Sequence, residues 1–572
     1  MHHFTLTMKR LLFLSLILFC SLNIFAQSDV PKGWHLMSEE TDGYYGINLN
    51  KAYQFLKDKN KKSKTVIVAV IDSGVDTLHE DLKNVLWHNP KEIPNNTMDD
   101  DHNGYADDVY GWNFIGGKDG KLLKKAGEER TRVYHRFENK YSGKDIDTSG
   151  MSAEDKYQYK MWKRASDELN ISSDEQAEIS FMDMFLKSLK RQNQILCDEM
   201  KVKEYTSEEL EKYVPQSPEA KNAKFSYLTS MKIAGIEPDM KNTTIIDELE
   251  TEIDGKKEVL TAKQTPLHDY RADFIKDDYS NINDKFYGNS DVMGPGPMHG
   301  THVSGIIAAQ RNNGIGIDGV ADNVKIMMLR AVPDGDEYDK DIALAIFYAV
   351  DNGAKVINMS FGKYYSPEKK WVDSAIRYAE SKDVLLVHAA GNENENVDEK
   401  ENFPNPNYLF NSGKASNFIN VGASGDPKIG NGSLVASFSN YGKNGVDVFA
   451  PGLKIYSTIP GGNQYANEQG TSMASPVVAG LAALIRSYFP EFTAQQVKQV
   501  IEKSVSVPNA SLKVIKPGTK DEKVTMSELC KSGGIVDAGA AVAMAYALEQ
   551  SLQNRNEKLP KSSFRNTIKT NQ

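Results

Sequence analysis

The chain has 572 residues, 40% of them apolar and 26% charged, with a formal charge of −10. That length accommodates two to four average domains, or one large α/β domain carrying an insertion. The negative balance argues against nucleic acid or an anionic membrane surface as the main partner.

The first segment is a leader. Lys9 and Arg10 precede the apolar run 11–19, and small residues follow near Ala26. This is the pattern of a secretory signal peptide over residues 1–26, cut between Ala26 and Gln27. The apolar core is short for a spanning helix. Cys20 follows the bulky Phe19, where a lipoprotein signal has a small residue, so lipid anchoring is not expected. No transmembrane segment is expected after cleavage, which places the mature chain outside the cytoplasm: periplasmic, cell-surface or extracellular. Cys197 and Cys530 then remain, one candidate disulfide rather than a framework.

Residues 27–64 lead into Val66-Ile67-Val68-Ala69-Val70-Ile71, a buried strand ending in Asp72-Ser73-Gly74. Within the segment 65–115 lies an acidic run, Asp99 to Asp108. Counting Asp99 as position 1, oxygen donors fall on Asp99, Asp101, Asn103 and Asp107, with a backbone carbonyl at Tyr105 and Gly104 where an EF-hand loop turns. Hard oxygens at that spacing predict a structural calcium. Tyr110 stands where an EF-hand has a bidentate Glu, so the match is incomplete.

Residues 116–285 are highly charged. Helix-start signals at Ser172-Ser173-Asp174-Glu175 and Thr206-Ser207-Glu208-Glu209 predict a mainly helical insertion, with Phe181, Phe185, Leu189 and Leu196 on one face. From 286 to 546, strands (324–329, 355–359, 384–387) alternate with helices (341–352, 370–381). This predicts a three-layer, doubly wound α/β fold around a mostly parallel sheet. Asp72, Ser360 and Asn392 fall at or just after strand ends, where ligands bind on such sheets. Residues 547–572 read as a polar, disordered tail.

Two downstream segments complete the chemistry begun at Asp72: His299-Gly300-Thr301-His302-Val303 and Gly470-Thr471-Ser472-Met473-Ala474-Ser475-Pro476. Asp, His and then Ser is one of the few chain orders of a serine-hydrolase triad. Ser472 is the candidate nucleophile, His299 the general base and then acid, and Asp72 the group that orients the imidazole. The small, apolar run after Ser472 predicts a buried helix, with the serine at its N-terminus. Asn392, in Ala390-Gly391-Asn392, offers an amide donor to a developing oxyanion. His302 is read as structural.

Together these segments resemble the subtilisin-like serine peptidases (subtilases), over residues 65–115 and 290–545. The resemblance implies a seven-stranded sheet, endopeptidase activity on protein or peptide substrates, no organic cofactor, and Asn392 as the oxyanion residue. It implies that Ser360-Phe361-Gly362 pairs with substrate backbone and walls the primary specificity pocket. It gives Asp447-Val448-Phe449-Ala450-Pro451-Gly452 a structural role. Acidic loops like 99–108 occur in some subtilases too. Two features depart from the family: Asp72 and His299 stand 227 positions apart, and only 45 positions separate Gln27 from Asp72, little room for a folded propeptide. A catalytically silent binding protein and an acyl-transferring variant would use the same frame. The complete triad, and the lack of any water-excluding signal, favour hydrolysis. The oligomeric state is left open.

Overall fold

The computed structural model describes residues 30–558, apart from 144–145, 171, 237, 239, 264, 266–267, 411–412, 431 and 507–512. The leader 1–26 and the end of the tail lie outside the described residues. Seven strands form one sheet: β1 (Val66–Asp72), β2 (Gly111–Asn113), β3 (Val324–Arg330), β4 (Val356–Met359), β5 (Leu385–Ala389), β6 (Phe418–Ser424) and β7 (Val448–Pro451). Their order is β2-β3-β1-β4-β5-β6-β7, and every pairing is parallel. A strand covered on both faces needs a continuous apolar run rather than alternation. β1 meets this, with all but Ile67 buried.

The main helices, in chain order, are α1 (Leu49–Asp58), α2 (Glu129–Tyr141), α3 (Ala153–Glu168), α4 (Ser173–Met200), α5 (Ser207–Lys212), α6 (Pro218–Ala234), α7 (Asn242–Thr261), α8 (Tyr270–Phe274), α9 (Met298–Ala308), α10 (Asp339–Asp351), α11 (Lys369–Ser381), α12 (Thr471–Tyr488), α13 (Ala494–Lys503) and α14 (Ala538–Lys558). α10 and α11 pack together over one face of the sheet, sharing a core with Ala69, Ile71, Leu329 and Met359. α9 and α12 pack on each other and on β1. Side chains alternate along a strand, so Val68 and Val70 point to the other face.

The chain turns off the sheet after β2 and returns before α9. Asn113 and Asn289 mark the two stems, exchanging backbone bonds of 2.9 and 3.2 Å. Between them, α2 and α3 share an aromatic core that includes Tyr365 and Phe403 of the sheet-bearing part. α4, α6 and α7 build a separate core of their own. Capping boxes at Ser172/Glu175 and Thr206/Glu209 start α4 and α5, as the sequence signals predict.

Two expectations are corrected, and one question left open by the sequence is answered. Phe181 is 64% exposed, because the buried stripe of α4 runs Ile179, Leu186, Leu189, Leu196, and at 3.6 residues per turn Phe181 lies about 110° from the centre of that stripe. The polar stretch after 547 is not disordered from its start: α14 continues to Lys558, through leucine, glutamate, glutamine and arginine, which are good helix formers. Cys197 and Cys530 are both free, each within a different core cluster. In the lead-in, Trp34 is fully buried and its indole N–H reaches the carbonyls of Leu453 and Lys454 at 3.1 Å each, while α1 packs against α14.

The α4 register is testable by chemical denaturation. Leu196→Ala is expected to cost about 2–5 kcal/mol, and Phe181→Ala no more than about 0.5 kcal/mol. Equal losses would overturn the register.

Candidate active site

Asp72 closes β1, the strand that pairs with both β3 and β4, so its carboxylate emerges at the carboxyl edge where the winding reverses. It is 1% exposed. Its Oδ1 accepts the Ser73 N–H at 2.7 Å and meets His299 Nδ1 at 2.8 Å. Oδ2 is buried and, among the described residues, has no donor. His299 is the second residue of α9. Gly300 lets this helix come so near: a Cβ there would lie 2.1 Å from the Gly74 carbonyl oxygen and 3.1 Å from the Asp72 Cβ.

Burial alone would weaken the imidazolium of His299. The Asp72 charge, its hydrogen bond and the Glu468 charge outweigh that, and the pKa is raised above the ordinary histidine value. His302, one turn along, is the opposite case. Burial without a carboxylate pushes it down to about 3, and its Nε2 lies 3.2 Å from the Ala466 carbonyl, so it is a neutral packing group.

Ser472 is the second residue of α12. Pro476, inside this helix, has no N–H to give to the Ser472 carbonyl one turn back. Ser360 fills that role, its hydroxyl donating to the Ser472 carbonyl at 2.8 Å. In return the Ser472 hydroxyl donates to the Ser360 carbonyl at 3.1 Å. Asn358 and Ser475 extend the network behind them, Asn358 Nδ2 donating to Ser360 Oγ and Ser475 Oγ to Asn358 Oδ1.

The first-turn N–H groups of α12 are divided in a definite way. Those of Met473 and Ala474 go to the Gly470 carbonyl, and that of Thr471 to Asn392 Oδ1 at 2.8 Å. The Ser472 N–H has no acceptor among the described residues. The Thr471 hydroxyl also donates to Asn392 Oδ1 (3.0 Å) and accepts from the Gly391 N–H. Because the Thr471 N–H can only donate, the Asn392 amide is turned with its oxygen toward Thr471 and its NH₂ group free to donate elsewhere. Asn440 and Asn402 both donate to the Ala390 carbonyl, fixing the start of this loop. Gly391 sits at φ +103°, and a Cβ there would meet Asn440 Nδ2 at 2.3 Å.

The residues expected to bind substrate divide. Ser360 is buried and engaged with Ser472. Phe361 packs against the α10–α11 core with its ring perpendicular to that of His388, so only part of it is left to face a cleft. Gly362 abuts Asn402, where a Cβ would come within 2.9 Å of Oδ1.

The acidic loop brings together Asp99 and Asp101 with a residue the EF-hand template does not include, Glu92; the three offer oxygens within 4.8 Å of one another. Asp107 points elsewhere, its carboxylate accepting the N–H groups of Asn96 and Thr97. Asn103 accepts from the Tyr105 N–H and donates to Asp108, which burial pushes up to about 6. The Tyr105 ring is buried among Trp112, Phe114 and Tyr348.

The Subtilase family model matches residues 63–529. The chain belongs to the subtilase family. It is 45% identical over 190 residues to a thermophilic serine proteinase of Bacillus sp. (strain AK1), covering 33% of this chain and 42% of that protein. Thermitase of Thermoactinomyces vulgaris is 40% identical over 203 residues, covering 35% of this chain and 66% of thermitase. This chain therefore spans less than two thirds of the length of either relative. Among solved structures, proteases from Pseudoalteromonas arctica align with 31% identity over 47% of this chain and 82% of theirs, at a TM-score of 0.35.

Two functional neighbours in this subtilase escape motif reading. Thr471 orients Asn392, and only its place inside the Gly470–Pro476 segment hinted at a role. Glu468 adds charge beside His299 from the end of the hairpin β8 (Ile455–Ile459) and β9 (Gln464–Glu468). By NMR titration His299 is expected to ionise above the ordinary histidine value, and both Asp72→Asn and Glu468→Gln to lower it, Asp72→Asn more. A midpoint unmoved by Asp72→Asn would contradict the pairing drawn here.

Proposed function

We propose that this subtilase is an exported serine endopeptidase that hydrolyses peptide bonds through an acyl-enzyme on Ser472. The observation that carries this reading is the 2.8 Å pairing of His299 Nδ1 with buried Asp72, together with a serine held at the N-terminus of a helix that packs against the helix of His299. The Ser472 hydroxyl leaves the Ser360 carbonyl and passes its proton to His299 Nε2 as Oγ attacks the scissile carbonyl. Asp72 keeps the proton on Nδ1 and stabilises the imidazolium that forms. The carbonyl oxygen, now negative, takes hydrogen bonds from the Asn392 NH₂ group and the Ser472 N–H, worth about 3–4 kcal/mol per side-chain donor. His299 returns its proton to the leaving amine, and water repeats the sequence on the acyl-enzyme.

The leader pattern in residues 1–26 supports export; among the described residues no helix is long and apolar enough to cross a membrane. A binding protein without catalysis is the second reading, and what disfavours it is that the Asn392 amide is turned to donate.

Intact mass after exposure to a serine-directed fluorophosphonate tests the main reading. One adduct is expected on the mature chain and none on Ser472→Ala, with the unlabelled mass placing the N-terminus at Gln27. A folded chain that takes no adduct would overturn it. The profile of kcat/KM with pH is also diagnostic. His299 must be neutral to act as base, so its raised pKa moves the acid limb above the ordinary histidine range, and activity falls as pH drops through that limb.

We also assign a structural calcium to the acidic loop, held by Glu92, Asp99 and Asp101. Three carboxylates converging within 4.8 Å repel one another unless a cation lies between them, and hard oxygens suit calcium. Lys91, 3.8 Å from Asp101 and largely exposed, and the backbone N–H groups that Glu92, Asp99 and Asp101 accept offset this only in part. The ion would tie Glu92 to the 99–101 turn and takes no part in the reaction. Equilibrium dialysis is expected to show one calcium fewer in Asp101→Ala; unchanged stoichiometry removes this loop as the site.

A further inference from the structure

The stretch that follows Gly362 is gripped from outside the sheet. Lys363 is buried, its ammonium 2.8 Å from Glu129 of α2 and 2.8 Å from Asp339, with a further bond to the Glu337 carbonyl. Arg164 of α3 donates to the Tyr364 carbonyl, the Tyr157 hydroxyl to the Ser366 carbonyl at 2.9 Å, and the Tyr365 hydroxyl to Glu168 at 2.6 Å. Arg136 pairs with Glu368, and Glu154 with Lys370. Every one of these partners on α2 and α3 belongs to the 116–285 stretch.

The same stretch touches both halves of the site. Three residues before Lys363, Ser360 exchanges hydrogen bonds with Ser472. Lys363 itself exchanges backbone bonds of 3.0 and 2.8 Å with Phe403. Next to Phe403, Asn402 donates at 3.0 Å to the Ala390 carbonyl, immediately before Gly391 and Asn392. A helical excursion that merely decorated the surface would not send a carboxylate into a buried pair so near the nucleophile.

We infer that α2 and α3 are a working part of the active site: through Glu129 and Lys363 they hold Ser360 against Ser472 and, by way of Phe403 and Asn402, set the loop that carries Asn392. Glu129 and Lys363 are positioning residues, since neither reaches the reacting atoms. The inference rests on the peptidase reading above. It implies that loosening the clamp misplaces the nucleophile and the oxyanion donor together, a loss in turnover per site rather than in substrate affinity.

The test measures kcat per fluorophosphonate-titrated site and KM on a peptide substrate in the full chain. Glu129→Gln is expected to lower kcat per site about tenfold or more, with KM little changed, and Glu129→Asp to restore most of it. Lys190→Ala, which breaks the pair with Glu250 between α4 and α7, should leave both constants unchanged. If Glu129→Gln yields no titratable sites, Arg164→Gln carries the same comparison. A clamp with only a structural role would lower the number of titrated sites and leave kcat per site unchanged. That result overturns the inference while the peptidase reading stands. A wild-type chain that takes no label at Ser472 overturns both.

Discussion

The 2.8 Å contact between Asp72 and His299 joins residues 227 positions apart. The rest of the architecture can be understood as what makes that contact possible. Each doubling of an intervening loop costs only about 0.6 kcal/mol in closure entropy, so length alone is a small obstacle; direction is the larger one. The stems at Asn113 and Asn289 solve it by pairing with each other, which returns the chain to the sheet edge where it left. Buried Arg330 then ties the region together from the end of β3. It donates to the Ser73 carbonyl beside Asp72, to the Asn113 side chain at the stem, and to the Leu123 carbonyl just beyond. Burial pushes its pKa down to about 10, yet it remains charged at neutral pH and satisfies several acceptors at once.

The attachment of the 116–285 stretch is unusually ionic for a buried surface. Glu129 and Lys363 meet there, and within α8 the guanidinium of Arg271 is shared between Asp277 and Asp341, with Lys340 on the far side of Asp277. Desolvation makes such pairs poor sources of net stability compared with apolar contacts. Removing one partner, however, leaves a buried charge and is expensive. The consequence is orientation. An apolar interface tolerates sliding, whereas a carboxylate that must find one ammonium allows a single docking. That property suits helices packed directly behind the segment that holds Ser472.

How much of this was legible in the residues depended on whether the information was local. β1 announces itself because a strand buried on both faces is continuously apolar, and Asp72, His299, Asn392 and Ser472 because each lies inside a short segment whose neighbours are constrained by the same turn or helix start. The capping boxes at Ser172 and Thr206 were readable for the same reason. Glu92 was not, since it joins Asp99 and Asp101 only after the intervening turn folds back, and a linear template beginning at Asp99 cannot include it. Phe181 misled because hydrophobicity was read as burial, when Ile179 lay nearer the true stripe. α14 was cut short because polarity was read as disorder, although alanine, leucine, glutamate and glutamine are good helix formers.

Ser360 is the most instructive of these positions. The family resemblance puts it in the segment expected to meet substrate, and its side chain is committed to a second task, replacing the hydrogen bond that Pro476 cannot make. Neither residue carries that meaning alone, and they stand more than a hundred positions apart. The proline leaves the carbonyl of Ser472 with a need that only a group outside the helix can meet. The serine that meets it thereby fixes where the Ser472 backbone sits relative to the sheet. Whatever holds Ser360 therefore also holds Ser472, which is why the residues that follow Ser360, rather than the cleft itself, show how far into the molecule the candidate site extends.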